Sequence, residues 1–175
     1  MIDSLKLLTA NVGNADPSKR GDRCKLSWEH TYLIKNNLTA IYPDIILYVN
    51  GIPLVIIECK SPFIVQWLEE AVEQKNFKKY RSTGNGYERL MFYNHILIAT
   101  NGDEARHGTI SSDVNQFQNS RWSSAYPLTI DDVEKVYGKS RGQEILIAGM
   151  LQKPHLLDLL KNYVIYQTIG NKRVK

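Results

Sequence analysis

Features of secreted or membrane proteins are scarce in this chain. It has two cysteines, Cys24 and Cys59, whose spacing matches neither a disulfide framework nor a pair of metal ligands. We interpret both as reduced thiols of a cytoplasmic protein. No apolar run approaches the roughly 20 residues that a membrane helix needs, and no signal peptide is visible. The sequence therefore predicts a cytoplasmic protein with no membrane segment.

A nucleotide-binding loop is also lacking. Gly138-Lys139-Ser140 resembles the end of a phosphate-binding loop, but that pattern needs a second glycine five residues earlier, and Val133 stands there. The sequence thus predicts no ATP site in this chain. Internal repeats and low-complexity tracts are lacking too.

What is present fits a folded catalytic domain. The 175 residues are 43% hydrophobic and 23% charged, which is the composition of a chain that can bury a core. The net charge of +4 is compatible with a polyanionic partner, although it does not demand one. These values favour a single globular unit over a disordered chain.

Three polar residues interrupt a strongly apolar stretch. Residues 42–49 and 53–60 read as two strands around the turn signal Asn50-Gly51, with Asp44 in the first strand and Glu58 and Lys60 at the end of the second. Side chains alternate along a strand, so Glu58 and Lys60 share a face about 7 Å apart, while Cys59 points to the core. A carboxylate among aliphatic side chains costs several kcal/mol unless a cation compensates it. Two such oxygen donors suit Mg²⁺, and Lys60 would assist an attacking water.

The length of the hairpin loop bears on this site. A two-residue loop that pairs Val49 with Ile52 would place Asp44 opposite Ile57, on the face away from Glu58. We therefore expect either a three-residue loop, which brings Asp44 to the face of Glu58, or an Asp44 that lies just before regular pairing begins. The alternative without a catalytic role is that the three polar residues form a surface salt-bridge cluster at the strand ends.

The pattern Pro43-Asp44, then Glu58-Cys59-Lys60, resembles the PD-(D/E)xK nuclease superfamily. The longer sequence segments at residues 43–62, 90–94 and 100–109 resemble the nuclease core of the R (restriction and translocation) subunit of type I restriction-modification enzymes. The resemblance runs from about residue 29 to the C-terminus. It implies an α/β, restriction-endonuclease-like mixed central sheet flanked by helices, with a helical C-terminal segment. It also implies a Mg²⁺-dependent endonuclease, with Mn²⁺ as a possible substitute, that cuts double-stranded DNA.

The same resemblance implies partners and further site residues. In the family, methyltransferase and specificity subunits supply recognition, and an ATP-driven motor pulls the DNA. The family has an acidic residue upstream of the sheet, for which Glu29 is the candidate. It also has a glutamine followed four residues later by a tyrosine; here Tyr80 fits, and the amide role is divided between Gln74 and Asn76, of which Asn76 shares a helix face with Tyr80.

Basic residues on the helix after Lys60 are candidates for DNA contact. These are Lys75, Lys78, Lys79 and Arg81. An ordinary solvated helix face explains them equally well. Tyr80, similarly, could pack in the core or touch DNA.

The chain divides into a core and an extension. Residues 1–126 read as the nuclease core with an irregular N-terminal segment, and residues 127–175 as a helical extension leading toward a motor domain that is absent from this chain. We expect strands at residues 30–36, 95–100 and 106–110 and a surface loop at 111–126. Helices are expected at residues 64–81, where Val65, Leu68 and Val72 share one side, at 154–166, and after a capping box at 129–132.

Two further functions remain open from the sequence. One is a non-catalytic DNA-binding or assembly module that keeps the fold but lacks enough metal ligands. The other is a junction resolvase or repair nuclease built on the same core.

Overall fold

A computed structural model describes residues 24–28, 32–33, 40–74, 77–82, 88–119, 128–169 and 172–174. The strands are β1 (Cys24–Trp28), β2 (Tyr32–Leu33), β3 (Ala40–Ile41), β4 (Ile45–Val49), β5 (Ile52–Cys59), β6 (Ile96–Thr100), β7 (Ala105–Gly108), β8 (Gln118–Asn119), β9 (Gln167–Ile169) and β10 (Lys172–Val174). The α-helices are α1 (Trp67–Glu69), α2 (Phe77–Arg81), α3 (Glu88–Met91), α4 (Ile130–Tyr137), α5 (Gly142–Gly149) and α6 (Lys153–Asn162). A π-helical turn spans Glu70–Gln74 and a 3-10 turn spans Val114–Gln116.

The centre of the molecule is a mixed six-stranded sheet. Its strand order is β1-β4-β5-β6-β7-β8, and only the β5–β6 pair within it is parallel. A parallel pair needs a crossover connection, and the helices from α1 to α3 supply it on one face of the sheet. This is the predicted α/β, restriction-endonuclease-like arrangement.

The β4–β5 hairpin departs from the expected loop. Val49 pairs with Ile52 across a two-residue turn, in which Asn50 (φ 52°) and Gly51 (φ 82°) both have the positive φ of a type I′ turn. The expected three-residue loop is therefore wrong. Further along, Tyr48 pairs with Pro53 but Leu47 pairs with Val55, so Leu54 is an extra residue that forms a β-bulge.

The bulge changes which residues face each other at the far end of the hairpin. Beyond it the last pair is Ile45 with Ile57, so the next position along places Asp44 level with Glu58. Asp44 lies just before β4 begins, as the other expected arrangement required. Both carboxylates therefore belong to the same face of the sheet.

One face of the sheet packs against the crossover helices. Its buried core consists of Ile41, Ile46, Ile56, Trp67, Ala71, Val72, Phe77, Tyr80, Leu90, Met91, Leu97, Ala99 and Phe117. The predicted helix at residues 64–81 begins later, at Trp67, and changes to π-helical geometry at Glu70. Val72 is buried and Leu68 partly so, but Val65 is 96% exposed, because it precedes the helix rather than joining its apolar side.

Helices α4 to α6 cover the other face. The buried residues there are Ile45, Leu47, Leu54, Val55, Ile57, Ile96, Ile98, Ala105, Val133, Tyr137, Leu146, Ile147, Ala148, Met150, Leu151 and Leu156. The capping box is confirmed, since Thr129 and Asp132 exchange hydrogen bonds at the start of α4. Helix α6 has proline in its first turn, as expected, but ends at Asn162 rather than Tyr166.

Other predicted elements are partly corrected. The strand at residues 95–100 is confirmed as β6, and β7 corresponds to the strand expected at 106–110. Of the strand expected at residues 30–36, the structure describes Tyr32–Leu33 as β2, and the rest lies outside the described residues. Of the surface loop expected at 111–126, residues 111–119 contain the 3-10 turn and β8, and residues 120–126 lie outside the described residues. Phe117 between them is buried, because it stacks on Phe77.

Within the described part of the chain, no helix has both the length and the apolar character required to cross a bilayer.

Candidate active site

The predicted catalytic residues meet where β4 begins and β5 ends. The Cys59 amide donates to Asp44 Oδ2 at 2.7 Å. Cys59 lies two residues past Ile57, the last β5 residue paired with β4. Its amide would donate to a β4 carbonyl oxygen if β4 were longer, and the Asp44 carboxylate takes the place of that acceptor. This hydrogen bond fixes Asp44 beside the peptide that joins Glu58 to Cys59.

Glu58 places a carboxylate in a dry environment. Its side chain is 0% exposed, yet it is surrounded by polar groups. The Tyr80 hydroxyl donates to Oε1 at 2.8 Å, and Lys60 Nζ lies 3.7 Å from Oε2. The predicted common face of Glu58 and Lys60 is therefore confirmed, and an ammonium group and a phenol offset part of the desolvation cost of the buried carboxylate.

Tyr80 links the crossover helices to both strand ends. Besides Glu58, its hydroxyl lies 3.0 Å from the Tyr42 carbonyl oxygen, two residues before Asp44. Burial, and then the negative charge of Glu58, raise the pKa of Tyr80 well above its ordinary value of 10.0. The phenol therefore keeps its proton near neutral pH and acts as a hydrogen-bond donor.

Cys59 lies on the opposite face, as predicted, and is a free thiol packed against the core beneath α4 to α6. Burial, followed by the charges of Asp44 and Glu58, raises its pKa to about 12. The thiol is consequently protonated near pH 7.

The donor set suits a hard divalent cation. Asp44 and Glu58 supply carboxylate oxygens from neighbouring strand ends on one face. Mg²⁺ is commonly held by one or two carboxylates, and water and substrate phosphate complete its shell. Among the described residues, no group of three or more His, Cys, Asp or Glu side chains could hold a metal. Two protein carboxylates fit Mg²⁺ with an open shell that water and substrate phosphate complete.

The remaining candidate residues differ in their exposure and in how far the structure describes them. Lys78 and Lys79 are exposed on α2. Arg81 is half-buried and its Nη1 donates to the Ile110 carbonyl; burial lowers its pKa. Gln74 ends the π-helical turn, but its side chain lies outside the described residues, as do Lys75, Asn76 and the upstream acid Glu29.

Sequence reasoning missed two parts of this site. One is the bulge at Leu54, for which Pro53 was an available signal, because proline within a sheet favours edges and bulges. The other is Asn94, a buried residue whose Nδ2 donates to the Leu54 carbonyl oxygen at 3.2 Å. No local pattern marks Asn94, since its partner lies 40 residues away.

The mixed sheet, with two carboxylates and a lysine at the ends of its central hairpin, defines an α/β domain of the restriction-endonuclease-like class. The chain belongs to the family described as type I restriction enzyme R protein N terminus, whose sequence profile matches residues 25–116, just over half of its length.

Curated relatives agree with this family. The chain is 31% identical over 127 residues to the type I restriction enzyme HindI endonuclease subunit of Haemophilus influenzae, covering 71% of this chain and 11% of that protein. It is 30% identical over 137 residues to a Methanocaldococcus jannaschii protein assigned as the MjaIXP type I restriction enzyme endonuclease subunit, covering 71% of this chain and 12% of that protein. The matched part of the chain thus spans only 11 to 12% of the length of these relatives.

Proposed function

We propose that this chain is the metal-dependent endonuclease domain of a type I restriction R subunit and that it hydrolyses phosphodiester bonds of double-stranded DNA. The observation that carries the proposal is the convergence of Asp44, Glu58 and Lys60 on one face at the ends of β4 and β5. The names of the relatives, which are type I restriction endonuclease subunits, support the same conclusion.

Each residue has a distinct role in this proposal. Asp44 and Glu58 would hold Mg²⁺ or Mn²⁺, which when bound polarises a phosphate oxygen and lowers the pKa of water. Lys60, with a side chain only 13% exposed, would orient the attacking water and stabilise charge that develops on the phosphate. Tyr80 would hold Glu58 in place through its hydroxyl. The preorganised carboxylate, ammonium and phenol would act together at the scissile phosphate.

The DNA and subunit contacts follow from the position of the site. Lys78 and Lys79 are exposed on α2, the helix that also carries Tyr80, so they would contact backbone phosphates of a duplex held at the site. Sequence recognition would come from the methyltransferase and specificity subunits of a restriction complex. An ATP-driven motor would lie in the remaining part of a full-length R subunit, since the matched part of this chain spans only 11 to 12% of its relatives.

A non-catalytic DNA-binding or assembly module is the second candidate. The observation that favours it is the small ligand set, because the described residues provide two carboxylates at the site and no cluster of three or more potential ligands. Such a module would retain the fold and the exposed lysines but bind no metal.

Metal binding and cleavage by this chain distinguish the two candidates. We expect Mn²⁺ binding, measured by electron paramagnetic resonance, to be lost in Asp44→Asn and Glu58→Gln. These variants remove the negative charge but keep one oxygen acceptor for the Cys59 amide and the Tyr80 hydroxyl, respectively. Relaxation of supercoiled plasmid in Mg²⁺ should fall at least a hundredfold in Lys60→Ala, because charge stabilisation at the phosphate is lost.

The matched control is Lys139→Ala, which removes an exposed lysine just after α4, on the other side of the sheet. It should relax plasmid like wild type. DNA binding without Mn²⁺ binding or relaxation by the wild-type chain would establish the non-catalytic module instead.

A further inference from the structure

The bulge at Leu54 decides whether the two carboxylates share a face. From the Val49–Ile52 pair at the turn, an uninterrupted ladder would pair Leu47 with Leu54 and place Asp44 level with Ile57. The extra residue moves every later pair by one position. Asp44 is therefore level with Glu58 only while the bulge persists.

Hydrophobic packing does little to choose between these two registers. A one-residue slip normally exchanges a buried face for a solvated one, and the cost of that exchange fixes the register. In β4, however, Ile45, Ile46 and Leu47 are at most 3% exposed, although they face opposite sides of the sheet. A slip would exchange one aliphatic side chain for another, so contacts specific to the bulge must select the register.

Asn94 makes such a contact. In an uninterrupted hairpin, Leu54 would direct its peptide groups to β4, as Ile52 does, because alternate pairs are the hydrogen-bonded ones. Instead the Leu54 carbonyl oxygen faces the other neighbour and accepts from the His95 amide at 2.9 Å and from Asn94 Nδ2 at 3.2 Å. Asn94 Nδ2 also lies 3.3 Å from the Ile96 carbonyl oxygen, and the residue is 0% exposed.

We propose that Asn94 is a positioning residue for the active site: its carboxamide holds the Leu54 carbonyl on the β6 side, maintains the bulge, and thereby keeps Asp44 on the face of Glu58. The consequence for catalysis rests on the proposed nuclease function. The consequence for register does not, because it concerns only how β4 pairs with β5.

Amide hydrogen exchange tests the register directly. The Cys59 amide is bound by Asp44 Oδ2 at 2.7 Å and would lose this acceptor if Asp44 moved to the other face. In Asn94→Ala we expect the Cys59 amide to exchange at least tenfold faster than in wild type. The Met150 amide, which donates to Leu146 at 2.8 Å at the end of α5, serves as the reference for global stability and should change much less.

Two further variants separate positioning from a general loss of packing. Asn101→Ala removes another buried asparagine, whose Oδ1 accepts from the amides of Asp103 and Glu104, and should leave the Cys59 amide protected relative to Met150. Deleting Leu54 from the Asn94→Ala variant removes the extra residue while keeping Leu47 opposite Val55. It should restore slow exchange at Cys59.

Each outcome bears on one proposal. If the Cys59 amide in Asn94→Ala loses protection only in step with Met150, Asn94 does not set the register and the inference is overturned, even if deletion of Leu54 prevents folding. If Cys59 exchanges faster but the wild-type chain neither binds Mn²⁺ nor relaxes plasmid, the register inference stands and the nuclease proposal fails. If wild type relaxes plasmid, and Asn94→Ala does so too while its Cys59 amide stays protected, the nuclease proposal stands and the register inference fails.

Discussion

At the scale of single residues, the environment of Glu58 explains how a buried carboxylate is tolerated. Removing a charged carboxylate from water is costly unless it is paired and hydrogen-bonded. Lys60 supplies the opposite charge at 3.7 Å and Tyr80 a hydrogen bond at 2.8 Å. Because Tyr80 also reaches the Tyr42 carbonyl, one phenol connects Glu58 to the segment that leads into Asp44.

Replacement of Tyr80 by phenylalanine tests this role. We expect Tyr80→Phe to lower kcat for plasmid relaxation about tenfold with little change in KM, because the ring still packs but Glu58 loses a donor. The free energy of unfolding should fall by about 1.5 to 3 kcal/mol, the usual contribution of a hydrogen bond to a charged group. Urea denaturation and steady-state kinetics measure the two effects.

The control for this change is Tyr163→Phe, at a tyrosine that is 69% exposed beyond the end of α6. It should match wild type in both measurements. An increase in KM without a change in kcat would show that the Tyr80 hydroxyl contacts DNA rather than positioning Glu58.

At the scale of elements, local sequence signals set the ends of helices and turns. In α4, the Thr129 hydroxyl accepts from the Asp132 amide at 3.2 Å, and Asp132 Oδ2 accepts from the Thr129 hydroxyl at 2.7 Å and the Thr129 amide at 3.0 Å. Gly138 then ends the helix with a φ of 70°. Such contacts lie within a few residues of each other, so the sequence alone predicts them.

The capping box makes the stability of α4 depend on pH. Hydrogen bonds from the side chain and then the backbone of Thr129 lower the pKa of Asp132 below its ordinary value of 3.8. A lowered pKa means that the box contributes its stability above that ordinary value and loses it as the pH falls through the lowered one. Thr129→Val should therefore raise the pKa of Asp132, as measured by carbon NMR of its carboxyl group.

Thr129→Ser, which keeps the hydroxyl, provides the control, and the pKa of Asp132 should be the same in it as in wild type. Identical Asp132 titration curves in wild type and Thr129→Val would contradict the role assigned to the threonine hydroxyl.

At the scale of the whole molecule, the sheet is apolar on both faces and needs a layer on each. The crossover helices cover one face, and α4 to α6 cover the other with residues such as Val133, Leu146 and Leu156. The predicted boundary between residues 126 and 127 thus separates the six-stranded sheet and its crossover helices from α4 to α6, which pack on that sheet. The segment after residue 127 is not purely helical, because β9 and β10 pair with each other after α6. The division of the chain into residues 1–126 and 127–175 stays a prediction.

A truncation measures this dependence. We expect residues 1–126 alone to show no cooperative thermal transition, because Ile45, Leu47 and Ile57 would be exposed on one face. A chain that ends at residue 162 retains α4 to α6 and should unfold cooperatively, as followed by circular dichroism. If the shorter fragment melts cooperatively near the temperature of the full chain, the helices are a separate extension.

Particular residues show which features of the site can be predicted from the sequence. Strand alternation predicts that Glu58 and Lys60 share a face and that Cys59 points to the other, because these residues are consecutive. The same rule applied to a two-residue loop put Asp44 on the wrong face. It could not include an extra residue at Leu54, because the groups that hold the Leu54 carbonyl, Asn94 and His95, come from a distant part of the chain.

The sequence by itself determined the hairpin with its carboxylates and lysine and the capped helix α4, because each depends on contacts between residues close in the chain. It indicated the α/β class through the order of its strand and helix patterns. The tertiary structure alone decided the register that aligns Asp44 with Glu58 and the position of the Tyr80 hydroxyl between Glu58 and Tyr42. Both depend on hydrogen bonds across 22 to 40 residues, which form only when the crossover helices and β6 pack against the hairpin.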